Sequence, residues 1–158
     1  MFKSVVSAIA LSLLLPASAH AAVTSSGSNG ASISIPQSKF TKETKIIVSG
    51  RNFDETVGIY LAYCVVPKKG TLPSPCGGGV NKNGTGEASY WISSNPPPYG
   101  VGLAIPFAPG GRFKESVAIT RKIGKYDCRK VKCAITVRSD HLHEGDRSHD
   151  IYIPISIK

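Results

Sequence analysis

Three of the four histidines in the sequence lie within nine positions, in the stretch RSDHLHEGDRSHD (138–150). His141 and His143 are separated by one residue, so their rings share a face if the chain is extended there. Imidazoles and carboxylates together can bind zinc or copper, and His149 with the neighbouring acids would complete such a site. The alternative is a solvated loop, which we favour because the sequence establishes neither the number of ligands nor their geometry. We therefore predict no metal or haem cofactor.

The same stretch has the composition of a structural turn. It lies between two segments in which apolar and polar residues alternate, so it is expected to be the last loop of a β-sandwich. We expect Asp146, Arg147 and Asp150 to form a charged turn that fixes the final strand, with Asp140 and His141 at its start. His141 is thus the first histidine to mutate.

The other reactive residues do not form a recognisable catalytic set. Serine, histidine and aspartate all occur, but there is no G-x-S-x-G nucleophile motif. Aspartates and glutamates are scattered over predicted loops without an evident carboxylate pair. We therefore predict a protein that is not an enzyme.

The N-terminal sequence MFKSVVSAIALSLLLPASAHAA is typical of a secretory signal peptide. It has an early Lys3, a short apolar run and the small-x-small sequence Ala19-His20-Ala21. We expect a signal peptide at residues 1–21 and a secreted, extracellular protein, with association with the cell envelope as a further possibility. The apolar run is too short for a permanent membrane span, and we predict none.

Residues 22–158 suit one domain, which we place at 31–158 behind a flexible polar lead-in at 22–30. Four cysteines allow three pairings. An oxidising environment favours disulfides over a zinc site of four thiolates, which would usually show C-x2-C spacing. Separations of 12 and 5 residues favour the local pairs Cys64–Cys76 and Cys128–Cys133. Each would contribute about 2–3 kcal/mol through loop closure.

A period of two runs through almost the whole mature chain, and no amphipathic helix is evident. Short alternating segments bounded by Gly and Pro predict an all-β fold, a seven-stranded antiparallel immunoglobulin-like β-sandwich or barrel. The predicted strands are 31–36, 44–50, 57–65, 87–93, 116–120, 132–138 and 151–157.

The longest predicted connection is 93–112, with five prolines and four glycines. Because a loop of this length is usually functional or disordered, its apolar residues are informative. Tyr99 and Phe107 indicate that it packs on something, either the sandwich or a ligand, and we favour the sandwich.

The mature chain is basic. Loss of Lys3 with the signal peptide leaves 18 Lys and Arg against 10 Asp and Glu, a net charge of +8. Segment 121–132, RKIGKYDCRKVK, has six basic residues against one aspartate and is a candidate surface for an anionic cell-wall polymer. Nucleic acid is the other candidate; its binding there would be non-specific and salt-dependent, with Tyr126 available for stacking. A solvated loop tip has equal weight.

The arrangement of cysteines and strands resembles the neocarzinostatin family. The similarity lies in the signal peptide, in IIVSGRNF (46–53) and VGIYLAYCVVPKKGTLPSPC (57–76), and in YDCRKVKCAITVRSDH (126–141) leading to IYIPISIK (151–158). It implies a small secreted actinobacterial protein with an immunoglobulin-like fold and two disulfides. It also implies an apoprotein that carries an enediyne chromophore noncovalently in a cleft, with DNA damage done by the chromophore. The chain departs from the known carriers in its basic charge and in Arg138 on the cleft strand.

A second similarity is to modules of actinobacterial cell-surface proteins, some of them associated with haemin transport. It implies a place at the cell envelope, and it leaves the haem-binding residues to a separate domain. The residues that carry it are Ser93-Ser94-Asn95-Pro96-Pro97, Tyr99-Gly100, Gly110-Gly111, Asp127-Cys128, Cys133-Ala134, Asp140-His141 and Asp146 to Asp150.

We therefore predict a secreted, monomeric, non-enzymatic binding or interaction module of the cell envelope. The first alternative is a carrier of an apolar small molecule of the enediyne type, and the second is a haem- or metal-associated surface protein. A ligand in the family's cleft would be expected to contact Tyr63, Trp91, Tyr99, Phe107 and Arg138.

Overall fold

The computed structural model of the chain describes residues 21–77 and 89–158. Within these residues there are eleven strands and one 3-10 turn at Pro98–Gly100. The strands are β1 (Val23–Ser26), β2 (Ser32–Ile35), β3 (Lys39–Phe40), β4 (Thr44–Arg51), β5 (Ile59–Val65), β6 (Ser89–Ile92), β7 (Phe113–Ile119), β8 (Lys122–Ile123), β9 (Tyr126–Asp127), β10 (Cys133–Ser139) and β11 (Ile151–Ile157). The seven strands that alternation predicted are all present. The predicted signal peptide, apart from Ala21, lies outside the described residues.

The strands form two sheets and a small ribbon. The four-stranded sheet has the order β1-β2-β4-β7, and the five-stranded sheet has the order β3-β11-β10-β5-β6. β8 and β9 pair only with each other. Every pairing is antiparallel except that of β11 with β3. The all-β prediction is confirmed in the form of an open sandwich.

Strand β1 lies within the segment that we expected to be a flexible lead-in. All four of its residues pair with β2, from Val23 opposite Ile35 to Ser26 opposite Ser32. This finding corrects the expectation for residues 23–26. The alternating pattern there is short and mostly polar, so only pairing with a neighbouring strand reveals it.

The core lies between the two sheets, because alternate residues of each strand point inward. Val48 of the four-stranded sheet is fully buried, as are Leu61 and Ile135 of the five-stranded sheet. The residues between them point outward on each sheet. Those outward side chains that remain exposed are the ones available for binding.

The disulfide pairing is also confirmed. Cys64 is joined to Cys76 and Cys128 to Cys133, and no free cysteine remains among the described residues. The first bridge fixes the segment after β5, where the Val65 amide donates to the Pro75 carbonyl at 3.0 Å. The second closes the turn that leads into β10.

Loop 93–112 packs on the sandwich through one of its two aromatic residues. Phe107 is buried, and its ring stacks on Phe53 at 5.9 Å between centroids. Phe53 also packs against Phe113 at 5.3 Å. The loop returns to the sheet at Ile105, whose amide donates to the Trp91 carbonyl at 2.9 Å. Tyr99, the other aromatic residue of the loop, does not enter the core and is 61% exposed.

Tyr63 of β5 has a fully buried side chain that faces the core. Its hydroxyl has no hydrogen-bond partner among the described residues. Burial raises the pKa of Tyr63 to about 12. A buried hydroxyl without a partner is a net cost to folding, because its hydrogen bond to water is lost.

We expect Tyr63→Phe to raise the free energy of unfolding by about 1 kcal/mol at neutral pH. Because burial raises the pKa of Tyr63 to about 12 in the folded state, the free energy of unfolding of the wild type falls as the pH rises from about 10 towards 12. Tyr63→Phe should reduce this alkaline loss. Urea unfolding at pH 7 and pH 11 measures both effects, with Tyr126→Phe on the β8–β9 ribbon as the control. A destabilised Tyr63→Phe variant would mean that the hydroxyl has a partner.

Candidate functional site

Three outward side chains lie side by side on the five-stranded sheet. Trp91 of β6 is opposite Tyr60 of β5, and Tyr60 is opposite Arg138 of β10. The guanidinium carbon of Arg138 lies 4.9 Å from the centre of the Tyr60 ring, within the range of a cation–π interaction. These residues, with Tyr99 and His141 from neighbouring loops, are called the aromatic patch below.

His141 connects two tyrosines through its two ring nitrogens. The Tyr60 hydroxyl lies 2.5 Å from Nδ1, and the Tyr99 hydroxyl lies 2.8 Å from Nε2. A neutral imidazole has one N–H donor and one acceptor nitrogen. One tyrosine therefore donates to His141 while the other accepts, whichever tautomer is present.

The rings of the aromatic patch also contact one another. Trp91 and Tyr99 are stacked with centroids 6.3 Å apart, and the edge of His141 meets Trp91 at 5.0 Å. Such pairs each contribute about 0.5–1.5 kcal/mol beyond the area they bury. Tyr99 is thus held in place on its inner side while its ring remains largely exposed.

Asp140 supports the aromatic patch from below. Its carboxylate is fully buried and accepts hydrogen bonds from the Trp91 indole at 2.9 Å and from the Leu142 amide at 2.9 Å. Gly58 makes room for it, because a Cβ at residue 58 would lie far closer than 3.0 Å to the carboxylate. Burial is the main reason that the pKa of Tyr60 is raised, and the charge of Asp140 raises it further.

Beyond the aromatic patch, outward residues in the middle of β5 and β10 are buried and are not accessible to solvent. Ala62, Ala134 and Thr136 point outward from β5 and β10, yet Thr136 is 1% exposed and Ala134 is fully buried. The Thr136 hydroxyl donates to the Ala62 carbonyl at 3.2 Å. A ligand on this face would reach the exposed rings of Tyr99 and His141 before these small residues.

The structure divides the predicted ligand-contact residues into two groups. Trp91, Tyr99 and Arg138 meet at the aromatic patch, whereas Tyr63 and Phe107 lie in the core. Tyr60 was missed, although alternation from Ile59 and Leu61 places it on the outer face. The contacts of Tyr60 with Trp91 and Arg138 depend on the register of β5 with β6 and β10, which could not be predicted from the sequence.

The remaining residues of 138–150 form a turn that is linked by hydrogen bonds and ion pairs. Hydrogen bonds from the Ser148 side chain and from the Ser148 amide lower the pKa of Asp146, and the amide bond is 2.8 Å long. Arg147 and Asp150 are 3.4 Å apart as an ion pair. His149 is buried, with Nδ1 at 3.0 Å from the Asp146 carboxylate.

The three histidines have separate surroundings. His141 belongs to the aromatic patch, and His149 is buried behind Asp146. His143 is exposed, with Nδ1 at 3.5 Å from the Asp140 carboxylate. Within residues 21–77 and 89–158, no three His, Cys, Asp or Glu are grouped so that they could hold a metal ion.

Both arginines of segment 121–132 have partners within the fold. Arg129 pairs with Asp127 at 2.6 Å, and this contact holds the pKa of Asp127 well below its usual range. Arg121 donates to the carbonyls of Lys158 and Thr41. The lysines of the segment remain exposed.

The sandwich and its two local disulfides place the chain in a known class of fold. A comparison with solved structures found macromomycin, an enediyne apoprotein of the neocarzinostatin family, at a TM-score of 0.51. The two chains are 10% identical, and the match covers 82% of this chain and 100% of macromomycin. At this identity the similarity shows the fold alone. No protein-family model and no curated protein matches the sequence.

The described part of the chain contains no helix with the length and apolar character needed to cross a bilayer.

Proposed function

We propose that this protein is a secreted, non-enzymatic binding module of the cell envelope, and that the aromatic patch contacts its partner. The observation that carries the proposal is the position of Tyr99. Its ring is exposed but fixed, because His141 holds its hydroxyl and Trp91 lies beneath it.

A fixed aromatic surface suits binding on energetic grounds. Tyrosine and tryptophan offer a large contact area and lose little conformational entropy on binding, which is why they are enriched in interfaces. Arg138 and His141 add hydrogen-bond donors beside the rings. A partner with flat apolar faces and polar edges, such as a sugar or an aromatic group, matches this combination.

The fold and the disulfides support a secreted binding role. Macromomycin is an apoprotein on a similar fold, and two disulfides fit an oxidising environment. The signal peptide, the cell-envelope location and the monomeric state remain predictions from the sequence. The similarity to haemin-transport-associated modules also rests on the sequence alone.

A carrier of an apolar small molecule is the second candidate. One feature of the geometry favours it: the Tyr99 ring covers Trp91, and a ligand could bind on Trp91 if Tyr99 moved away. A small apolar molecule would take the place of the Tyr99 ring. The two functions therefore assign opposite roles to Tyr99, as a contact in one and as an obstacle in the other.

Tyr99→Ala distinguishes the two roles. If the aromatic patch contacts an envelope partner, we expect Tyr99→Ala to weaken retention of the mature protein on purified cell-wall material about tenfold, a loss of about 1.4 kcal/mol. Tyr126→Ala, a tyrosine on the distant β8–β9 ribbon, is the matched control. Unchanged retention of Tyr99→Ala would refute the proposal. Stronger binding of an apolar fluorescent dye by Tyr99→Ala would favour the carrier.

Metal or haem association is a third candidate, and it would require a change in the hydrogen bonds of His141. Both ring nitrogens of His141 are hydrogen-bonded, so a metal at that ring must displace Tyr60 or Tyr99. Calorimetric titration with zinc, copper and haemin tests this directly. Heat of binding that disappears in His141→Ala would establish such a site.

A further inference from the structure

The four-stranded sheet carries a second candidate surface, remote from the aromatic patch. A groove of about 550 Å³ lies on it, beside the ends of β1, β2, β4 and β7. We call it the hydroxyl groove. Its lining includes four hydroxyl residues and three cationic ones, namely Thr24, Ser32, Ser34, Ser49, Arg51, Arg112 and Lys114. No acidic residue is among the described residues that line the groove.

The hydroxyl groups form a row across the sheet. Thr24 is opposite Ser34, Ser34 is opposite Ser49, and Ser49 is opposite Lys114. Since neighbouring strands are about 4.8 Å apart, this row is roughly 14 Å long. Directly opposite residues of a sheet point to the same face, so the three hydroxyls and the ammonium group point outward together.

Two arginines line the same groove. Gly50 and Phe113 form the last pair of β4 with β7, and Arg51 and Arg112 are the next residues beyond that pair. Arg51 Nε donates to the Ser32 hydroxyl at 3.1 Å, and Arg112 Nε donates to the Pro109 carbonyl at 2.8 Å. Their terminal guanidinium N–H groups have no acceptor among the described residues. Lys114 likewise makes no hydrogen bond or ion pair within the described residues.

Cations that line one groove favour an anion between them. Like charges repel, and a phosphate oxygen that accepts from two guanidinium groups removes that repulsion. Cleavage after Ala21 would add the α-ammonium group of Ala22, which also lines the groove. The groove therefore combines several phosphate-binding groups with a row of hydroxyls.

We propose that the hydroxyl groove binds an anionic polymer of phosphate-linked polyol or sugar units. Phosphates contact Arg51, Arg112 and Lys114, and the hydroxyls of the polymer contact the row of Ser and Thr. Single-stranded nucleic acid fits less well, because its bases need exposed aromatic rings for stacking. Phe113, which has the only aromatic ring among the lining residues, is 6% exposed. This inference uses no residue of the aromatic patch and is independent of the proposed function.

The test measures the affinity of the mature chain, beginning at Ala22 and tagged at its C-terminus, for synthetic poly(glycerol phosphate). We expect Arg51→Ala/Arg112→Ala to weaken binding at least tenfold. Three phosphate contacts predict that the logarithm of the binding constant falls by ~2 for each tenfold rise in salt. The charge-matched control is Lys68→Ala/Lys69→Ala, two exposed lysines in the loop after β5 of the other sheet. An equal loss in that control, or no binding of the polymer, would overturn the proposal.

Two further measurements distinguish the contribution of the hydroxyls from that of the cations and identify the class of polymer. Ser34→Ala/Ser49→Ala should weaken binding of poly(glycerol phosphate) several-fold but leave binding of inorganic polyphosphate, which has no polyol hydroxyls, unchanged. An equal loss for both polymers would contradict the role of the hydroxyls. Tighter binding of single-stranded DNA than of poly(glycerol phosphate) would show that the partner is a nucleic acid. Tyr99→Ala should bind the polymer as the wild type does, so failure here is distinct from failure at the aromatic patch.

Discussion

Asp140→Ala should lower the free energy of unfolding by about 3 kcal/mol and disconnect the aromatic patch. The carboxylate is fully buried and accepts from both the Trp91 indole and the Leu142 amide. Its removal leaves two donors without an acceptor, one of them buried, and a buried donor left unpaired costs about 1–3 kcal/mol. His141 follows Asp140 directly, so its position between Tyr60 and Tyr99 is lost as well.

The single tryptophan allows a direct measurement of this effect. Trp91 is the only tryptophan in the sequence, so its fluorescence reports on the aromatic patch during urea unfolding. Asp140→Asn retains one carbonyl oxygen, which can accept one of the two bonds, and should lose about half as much stability. Glu144→Ala removes an exposed carboxylate from the same turn and should change stability by less than about 0.5 kcal/mol. Equal stability of Asp140→Ala and Glu144→Ala would contradict the assignment.

The faces of the strands were predictable because side-chain direction follows a period of two. Ile59, Leu61 and Tyr63 share the inner face of β5, as the alternation in 57–65 indicates. The same rule places Tyr60 outward and Tyr63 inward, which argues against Tyr63 as a residue that contacts a ligand. Local sequence was sufficient for these assignments.

The assembly of the aromatic patch was not predictable in the same way. Its two histidine contacts join residues 81 and 42 positions apart in the chain. They depend on the register of β5 against β6 and β10 and on the path of loop 93–112. The row of hydroxyls depends similarly on the register of four strands, one of which, β1, the sequence did not predict.

The two outer faces of the sandwich differ in chemistry. One carries the exposed rings of Tyr99 and His141, and the other carries hydroxyls and cations. Both inner faces belong to a single apolar core, so substitutions of the exposed outward residues should alter binding with little effect on folding. Asp140 and Gly111 are different, because each fixes a loop that positions other residues.

Gly111 fixes the end of loop 93–112. Its φ is +59°, and a Cβ at this position would lie far closer than 3.0 Å to the backbone oxygen of Phe53. The close approach of the two backbones allows the Phe53 amide to donate a hydrogen bond to the Gly111 carbonyl at 3.1 Å. The amides of Gly110 and Gly111 both donate to the Glu55 carboxylate at 2.8 Å.

Gly111→Ala should therefore lower the free energy of unfolding by more than about 3 kcal/mol, since the clash is with backbone that cannot rotate away. Gly110→Ala is the matched control. Its φ of +83° is also positive, but a Cβ there meets nothing within 4 Å, so the loss should be about 1 kcal/mol from backbone strain alone. Because Phe53 packs on Phe107 and Phe113, Gly111→Ala should also loosen the loop that carries Tyr99. Thermal unfolding and the sensitivity of loop 93–112 to proteolysis measure the two effects, and similar losses in both variants would show that the close approach to Phe53 does not hold the loop.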